Sequence, residues 1–231
     1  MSGMELSIVV PVLNEARHIE AALTALAPFR ARGAELIVVD GGSNDGTPDI
    51  AASFVDRIIE APRGRATQMN AGTAVARGKT LVFLHADTHL PANADTLMRD
   101  HLARSNRLWG RFDVRFDQGG WMSLIASMMN LRSRLTGIAT GDQAIFVSRS
   151  AFDAVGGFPP LALMEDIAFS ARLKRLSRPV CIDVPVVTSA RRWRDHGMLR
   201  TVILMWRLRF AYFLGADPAH LSRRYGYAST D

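Results

Sequence analysis

Three acidic segments in this 231-residue chain carry residue types and spacings that can do chemistry. In the first, an apolar run ends on Asp40 and is followed by Gly41, Gly42, Ser43, Asn44, Asp45 and Gly46. A carboxylate at a strand end can accept hydrogen bonds from a base or a ribose hydroxyl, and glycines beside it let a ligand approach the backbone. The earlier run Pro11-Val12-Leu13-Asn14-Glu15 is a second polar tip of the same kind. The second segment, His85-Ala86-Asp87-Thr88-His89, places ligand-type side chains at every other position. Residues two apart on extended backbone project to one side, so His85, Asp87 and His89 are expected to converge. A divalent cation bridging a diphosphate takes one or two carboxylates, with phosphate oxygens and waters completing its shell. Imidazole ligands would shift its preference from Mg²⁺ toward Mn²⁺, although a histidine that simply fills space at position 85 is an equal reading. The third segment, Glu165-Asp166, opens a helix. A carboxylate there gains from the helix dipole, so capping and proton transfer both fit.

Three basic or polar segments lie among these. Arg63-Gly64-Arg65 precedes a helix that includes Asn70, a combination suited to anion binding through guanidinium forks and free backbone N–H groups. Gly141-Asp142-Gln143 precedes a strand, and Asp142 serves equally as a turn residue or a site residue. Arg191-Arg192-Trp193 lies near the end of the chain's second half.

The elements that must position these residues alternate in the first half. Apolar runs at 6–10, 36–39, 57–59 and 81–84 read as strands, separated by helical patterns through Ile19, Leu23 and Leu26, from Thr47, and through Met69 and Val75. Buried strands with intervening helices imply a mostly parallel central sheet covered on both faces, with ligands at the carboxyl ends of the strands. Asp40 and Asp87 fall at such ends. The second half is expected to add an antiparallel strand over 112–116, a Met-rich helix over 121–138, a strand over 143–148, a helix from Glu165, and short strands around Val180 and Val186. A last helix over 198–214 follows. We expect one α/β domain, Rossmann-like, with residues 1–90 as a nucleotide-binding half, 91–195 as an acceptor-side half and 196–231 as a helical extension.

Composition narrows the classes. With 28 Lys+Arg against 22 Asp+Glu, the formal net charge of +6 favours anionic partners. The single cysteine, Cys181, excludes an intramolecular disulfide and a cysteine zinc cluster. The N-terminus lacks the basic and small-residue features of a signal peptide, and no run reaches the roughly 18 apolar residues of a membrane span. A cytoplasmic protein is expected.

In their order and spacing these motifs resemble family 2 glycosyltransferases of the GT-A fold. The usual pattern there is an early Pro-x-x-Asn-Glu, then Val-Asp-Asp-Gly-Ser-x-Asp-Gly-Thr, an Asp-x-Asp metal motif and a Glu-Asp pair. The resemblance covers nearly the whole chain, and Gly41 and His85 each stand where the pattern has an aspartate. It implies a donor site of Pro11, Asn14, Glu15, Asp40, Gly42, Arg65, Asn70, Ala86 and Asp87, with Asp40 holding the base of a nucleotide-sugar donor. It implies Mn²⁺ or Mg²⁺ on Asp87, with His89 a second candidate ligand. Asp166 becomes the general base and Glu165 its support. Asp142, Gln143, Arg192 and Trp193 fall on the acceptor or diphosphate side. The processive members' Gln-x-x-Arg-Trp lacks its glutamine here, which favours single transfers. Within the family the chain looks most like a compact bacterial branch associated with radical-SAM or selenium-related proteins.

Two other readings compete. A sugar-1-phosphate nucleotidyltransferase would carry a glycine-rich loop after the first strand, where this chain has Pro11 to Glu15. A membrane-surface or scaffold protein draws on the last helix, apolar on most sides yet carrying Arg200, Arg207 and Arg209. Surface contact and catalysis combine if the unknown acceptor is lipid-linked. Nucleic acid is not an expected partner, and the sequence is silent on oligomeric state.

Overall fold

The computed structural model describes residues 5–191 and 198–225. β1 (Leu6–Val12), β2 (Glu35–Asp40), β3 (Arg57–Glu60) and β4 (Thr80–Phe83) pair in parallel. β1 and β2 are buried on both faces because their sequences, LSIVVPV and ELIVVD, are almost continuously apolar. Between them run α1 (Ile19–Thr24), α2 (Ala27–Ala31), α3 (Thr47–Ala51) and α4 (Arg65–Val75). α3 starts with proline in its first turn, where a missing N–H costs nothing. α4 lies tight against the sheet through Gly72: a Cβ there would stand 2.4 Å from Val9 Cγ1.

The second half completes an eight-stranded sheet of order β3-β2-β1-β4-β7-β6-β8-β5. Here β5 is Thr88–His89, β6 Trp109–Phe116, β7 Phe146–Ser148 and β8 Val180–Thr188. The sheet is mixed, with β7 antiparallel to β4 and β6, and β5 antiparallel to β8. The antiparallel strand expected over 112–116 is corrected: that stretch of β6 pairs in parallel with β8, and only Trp109 and Gly110 pair antiparallel, with β7. The two short strands expected around Val180 and Val186 are one strand, interrupted by a register shift opposite Phe112 and Asp113 that leaves Asp183 and Val184 as the extra residues before Pro185.

The helices of this half are α5 (Ala94–Arg104), α6 (Trp121–Thr136), α7 (Arg149–Ala154), α8 (Glu165–Leu176), α9 (Met198–Phe213) and α10 (Pro218–Tyr225). One face of the sheet packs on α1, α2, α5 and α6 through residues such as Ile19, Phe29, Met98 and Met122. The opposite face packs on α4, α7 and α8 around a cluster of Phe83, Phe152, Phe158 and Phe169. A third, smaller core joins Leu163, Met164 and Ile167 to Leu208 of α9 and Leu221 of α10. Among the described residues no helix is long and apolar enough to cross a membrane.

At the amino-terminal edge of β1 and β2, Glu35 is fully buried. Its carboxylate accepts from Ser7 Oγ at 2.7 Å, Arg77 N at 2.7 Å and Arg77 Nε at 2.9 Å. Burial alone would raise this carboxyl. The hydrogen bonds from Ser7 and Arg77, with the Arg77 charge, outweigh it and hold the group below its ordinary range.

Candidate active site

Because β1, β2 and β4 are parallel, the chain leaves all three on the same edge of the sheet. The loops after β1 and β2 are stitched together there. Asn14 N donates to Ser43 Oγ, Asn14 Oδ1 accepts from Asn44 N, Glu15 N donates to Thr47 Oγ1 and Ala16 N donates to Asp45 Oδ2. Asn14 adopts φ +54, a conformation asparagine tolerates better than most residues. The polar residues of both motifs thus form one connected ledge.

Asp40 is almost fully buried. Its carboxylate accepts from Gly42 N at 2.9 Å, Ser43 N at 2.8 Å and Ser43 Oγ. The carboxylate thereby shapes the Gly42-Ser43 turn at the end of β2. The structure also explains Gly41. A Cβ at 41 would stand 3.0 Å from Gln68 Nε2. Gln68 is fixed there, donating to Val12 O at 2.9 Å and Val39 O at 2.8 Å. The amide of Gln68 fills the place a second aspartate would need. Sequence reasoning does not reach Gln68, whose only signal is a polar residue on the packed side of a helix.

The extended run expected over 85–89 does not persist. The chain turns at Ala86 and Asp87, with Thr88 N donating to His85 O at 3.0 Å. His85, Asp87 and His89 are therefore not a three-ligand cluster, and among the described residues no group of three His, Cys, Asp or Glu side chains is placed to hold a metal. His89 is exposed on the edge strand β5, and His85 Nδ1 lies 3.3 Å from Asp142 Oδ1. Asp87 differs from both. Among the described residues its half-buried carboxylate has one side-chain contact, from the neighbouring Thr88 hydroxyl at 3.4 Å. A single hard oxygen ligand of this kind fits Mg²⁺ or Mn²⁺ when diphosphate oxygens supply the rest of the shell.

α8 brings the last acidic pair to the same edge. Met164, at φ +68, turns the chain sharply into the helix. Non-glycine residues rarely hold such a conformation, and one that is held tends to mark a functional turn. Asp166 Oδ2 accepts from Gly141 N at 2.8 Å, so the carboxylate is oriented by the 3-10 turn Gly141–Gln143. Glu165 is 5% exposed. Its carboxyl is pushed up to about 7 by burial and by the Asp166 charge, against the opposing pull of Arg65 and His85. For Asp142, burial would raise the carboxyl, but its bond to His85 and the charges of His85, Arg65 and Arg209 hold it below the usual range. A Cβ at Gly141 would stand 2.5 Å from His85 Nε2, so a larger residue there would displace the imidazole. His85, Gly141, Glu165 and Asp166 line one opening with Met69, Phe83, Ile145 and Phe158.

Two expected site residues are engaged in bonds within the fold. The Asn70 amide donates to Phe158 O and accepts from Phe158 N, at 2.8 and 2.9 Å, and so ties α4 to the loop before α8. Gln143 is fully buried, accepting from Thr140 N and donating to Asn130 Oδ1. Pro11 ends up inside β1 and Ala86 in the turn before Asp87. Glu15 faces Arg191 at 3.4 Å, while Arg192 and Trp193 lie outside the described residues. Arg65, in the first turn of α4, is near enough to act on both Asp142 and Glu165.

Comparison with known proteins agrees with this architecture. The profile of glycosyl transferase family 2 matches residues 7–156. A PGL/p-HBAD biosynthesis glycosyltransferase of Mycobacterium bovis is 33% identical over 171 residues, 68% of this chain and 64% of that protein. The chain thus spans just under two thirds of the length of the curated relatives it matches first. S. aureus TarS 1-349, solved in complex with UDP-GlcNAc, superposes with a TM-score of 0.66 at 18% identity, over 80% of this chain and 58% of that one. The mannosyltransferase PcManGT from Pyrobaculum calidifontis, in complex with GDP-Man and Mn²⁺, gives 0.64 at 23% identity, over 91% and 61%. At those identities the likeness establishes the GT-A fold.

Proposed function

This chain belongs to glycosyl transferase family 2, and on that premise we propose that it moves a sugar from a nucleoside-diphosphate-sugar donor to an acceptor hydroxyl, one transfer at a time and with inversion. The observation that carries the reading is the convergence of Asp166, Glu165, Asp142, His85 and Arg65 at one edge of the sheet, from four segments far apart in sequence. Fold neighbours solved with UDP-GlcNAc and with GDP-Man and Mn²⁺ support a nucleotide-sugar donor and a divalent cation.

In this mechanism Asp166, held by Gly141 N–H, accepts the proton of the acceptor hydroxyl. The freed oxygen bonds to the anomeric carbon as the bond to the nucleoside diphosphate breaks on the opposite side, and a single displacement inverts that carbon. Glu165, keeping its proton toward neutral pH, adds no second negative charge beside the attacking oxygen. Arg65 is placed to offset charge at the donor end of the opening. Mn²⁺ or Mg²⁺ on Asp87 would neutralise charge on the departing diphosphate. The Asp40–Ser43 turn and the Asn14–Asn44 ledge would receive the nucleotide, and Arg192 and Trp193 would belong to the diphosphate or acceptor side.

We take residues 1–231 as one catalytic domain working in the cytoplasm, with peripheral contact to the inner membrane face through α9. The narrower place in the compact branch associated with radical-SAM or selenium-related proteins rests on sequence resemblance alone. A donor panel with Mn²⁺ or Mg²⁺ tests the reading, comparing wild type with Asp87→Ala and Asp166→Asn. Metal-dependent release of a nucleoside diphosphate, cut by about 100-fold or more in either variant, supports it. A folded wild type that neither binds nor turns over any donor points to the scaffold reading. Release of pyrophosphate from a sugar phosphate and a nucleoside triphosphate points to a nucleotidyltransferase.

A further inference from the structure

A second group of charges lies beyond Asp166, on α6 and α9. Arg132 carries Nε and Nη2, and Arg209 carries Nε, buried and without a hydrogen-bond partner among the described residues. A buried N–H left unpaired costs about 1–3 kcal/mol, more on a charged group, so such atoms call for a ligand or a reason. The neighbouring Arg111 also leaves Nε unpaired, but it bonds to Asp113 through Nη1, as Arg134 does through Nη2. Burial and the repulsion of Arg209 and Arg111 bear on the Arg132 guanidinium, and Asp166 and Asp142 pull the other way. Arg209, like Arg65 and His85, acts on Asp142, and Asp142 and Asp166 act on Arg132, so the pair lies within electrostatic reach of that end of the opening.

The same two helices present apolar stripes to solvent. On α6, Trp121, Leu124, Met128, Leu131 and Leu135 are exposed at alternating spacings of three and four, which is one helical face. On α9, Ile203, Trp206, Phe210 and Phe213 repeat that spacing, with Trp206 61% exposed. The inner side of α9 is occupied by Leu204 and Leu208, so these outer residues are not needed for its packing. Neither helix contains an aspartate or glutamate, and both carry arginines. Apolar stripes on helices that carry arginines and no acidic residue complement an anionic lipid interface.

We infer that Arg132 and Arg209 form a phosphate-binding subsite beside Asp166, and that the acceptor is a lipid whose phosphate-bearing head enters there while α6 and α9 rest on the bilayer. The inference builds on the transferase reading by naming its acceptor class. The phosphate would satisfy the unpaired guanidinium N–H groups and offset the Arg132–Arg209 repulsion, holding the head within reach of Asp166.

The test measures binding, not turnover, so that it stands apart from the donor assay. Vesicles of phosphatidylcholine, alone or with phosphatidic acid or phosphatidylglycerol, are titrated with wild type, with the double variant Arg132→Gln, Arg209→Gln, and with Arg132→Lys, Arg209→Lys. UDP binding and melting temperature are followed in parallel. Wild type should prefer phosphatidic acid vesicles to the other two by roughly tenfold or more. The glutamine variant should lose that preference with UDP binding and melting temperature unchanged, and the lysine variant should keep part of it. Exposed Arg207→Gln should leave the preference intact. Persistence of the preference in a folded glutamine variant overturns the subsite. Water-soluble glycerol phosphate binding as tightly as the vesicles overturns the lipid assignment, and parallel loss of UDP binding would assign the pair to the donor diphosphate. Vesicle binding as expected, in a protein that binds no nucleotide sugar, would sink the transferase reading and leave the subsite standing.

Discussion

Replacing Glu165 by glutamine should stabilise the protein above neutral pH and do little below about pH 5. The carboxyl is buried beside Asp166 and titrates at about 7 in the folded state, against an ordinary 4.5. Between those values the folded protein keeps a proton that the unfolded chain has released, so stability falls as pH rises through that window. Each unit of difference is worth about 1.4 kcal/mol, which puts about 3 kcal/mol at stake in the wild type. Glutamine has nearly the same shape and never ionises. It therefore removes the pH-dependent penalty, whatever constant cost its amide introduces. The assay is urea unfolding of both proteins at several pH values from about 5 to about 8, read as the difference between the two stability curves. A gap that moves in favour of the variant by about 3 kcal/mol across the window is expected. Parallel curves would mean that Glu165 ionises like an exposed glutamate, and the role of neutral partner to Asp166 would fall with it.

Three further outcomes follow from the packing. Gly141→Ala should displace His85 and loosen the hydrogen bond to Asp166, costing about 1–3 kcal/mol in thermal or urea unfolding and most of the transfer activity; wild-type stability in the variant would contradict the 2.5 Å approach. Glu35→Gln breaks a buried, fully bonded carboxylate and should cost about 3 kcal/mol near neutral pH. Because the folded Glu35 carboxyl is held below its ordinary range, the loss relative to wild type should be complete above about pH 5 and shrink as pH falls through the folded value, measured by unfolding at a series of pH values. Gly41→Asp should destabilise by about 1–3 kcal/mol through contact with Gln68, and Gln68→Ala in the same chain should recover part of that, a coupling that a double-mutant cycle on melting temperatures would read directly.

How much of this was legible in the sequence depends on how local the cause is. The parallel half was readable because β1, β2 and β4 are short apolar runs whose burial on both faces follows from composition. The positions of Asp40 and Asp87 at strand ends, and of Glu165 and Asp166 at a helix start, follow from the same local signals. The helix at 94–104 and the short helix at 218–225 went unread, since their apolar positions are sparse and their partners lie elsewhere in the chain. The antiparallel entry of β7 between β4 and β6 depends on pairing between distant segments, which no local pattern specifies.

The site divides in the same way. Residue type and order along the chain determined which carboxylates could act, because chemistry needs particular groups and those groups sit at element ends. Only the tertiary structure decided what each one faces. The turn at Ala86 and Asp87 separates three side chains that extended backbone would have brought together. The amide of Asn70 could as well have met a ligand, and it is Phe158, 88 residues away, that takes both its hydrogen bonds. Arg132 and Arg209 look like ordinary helix-surface cations until α6 and α9 bring their charges within reach of each other and of Asp142. Each of these outcomes comes from contacts between residues remote in sequence, where desolvation and charge are set by the neighbours the fold supplies and not by the residue itself.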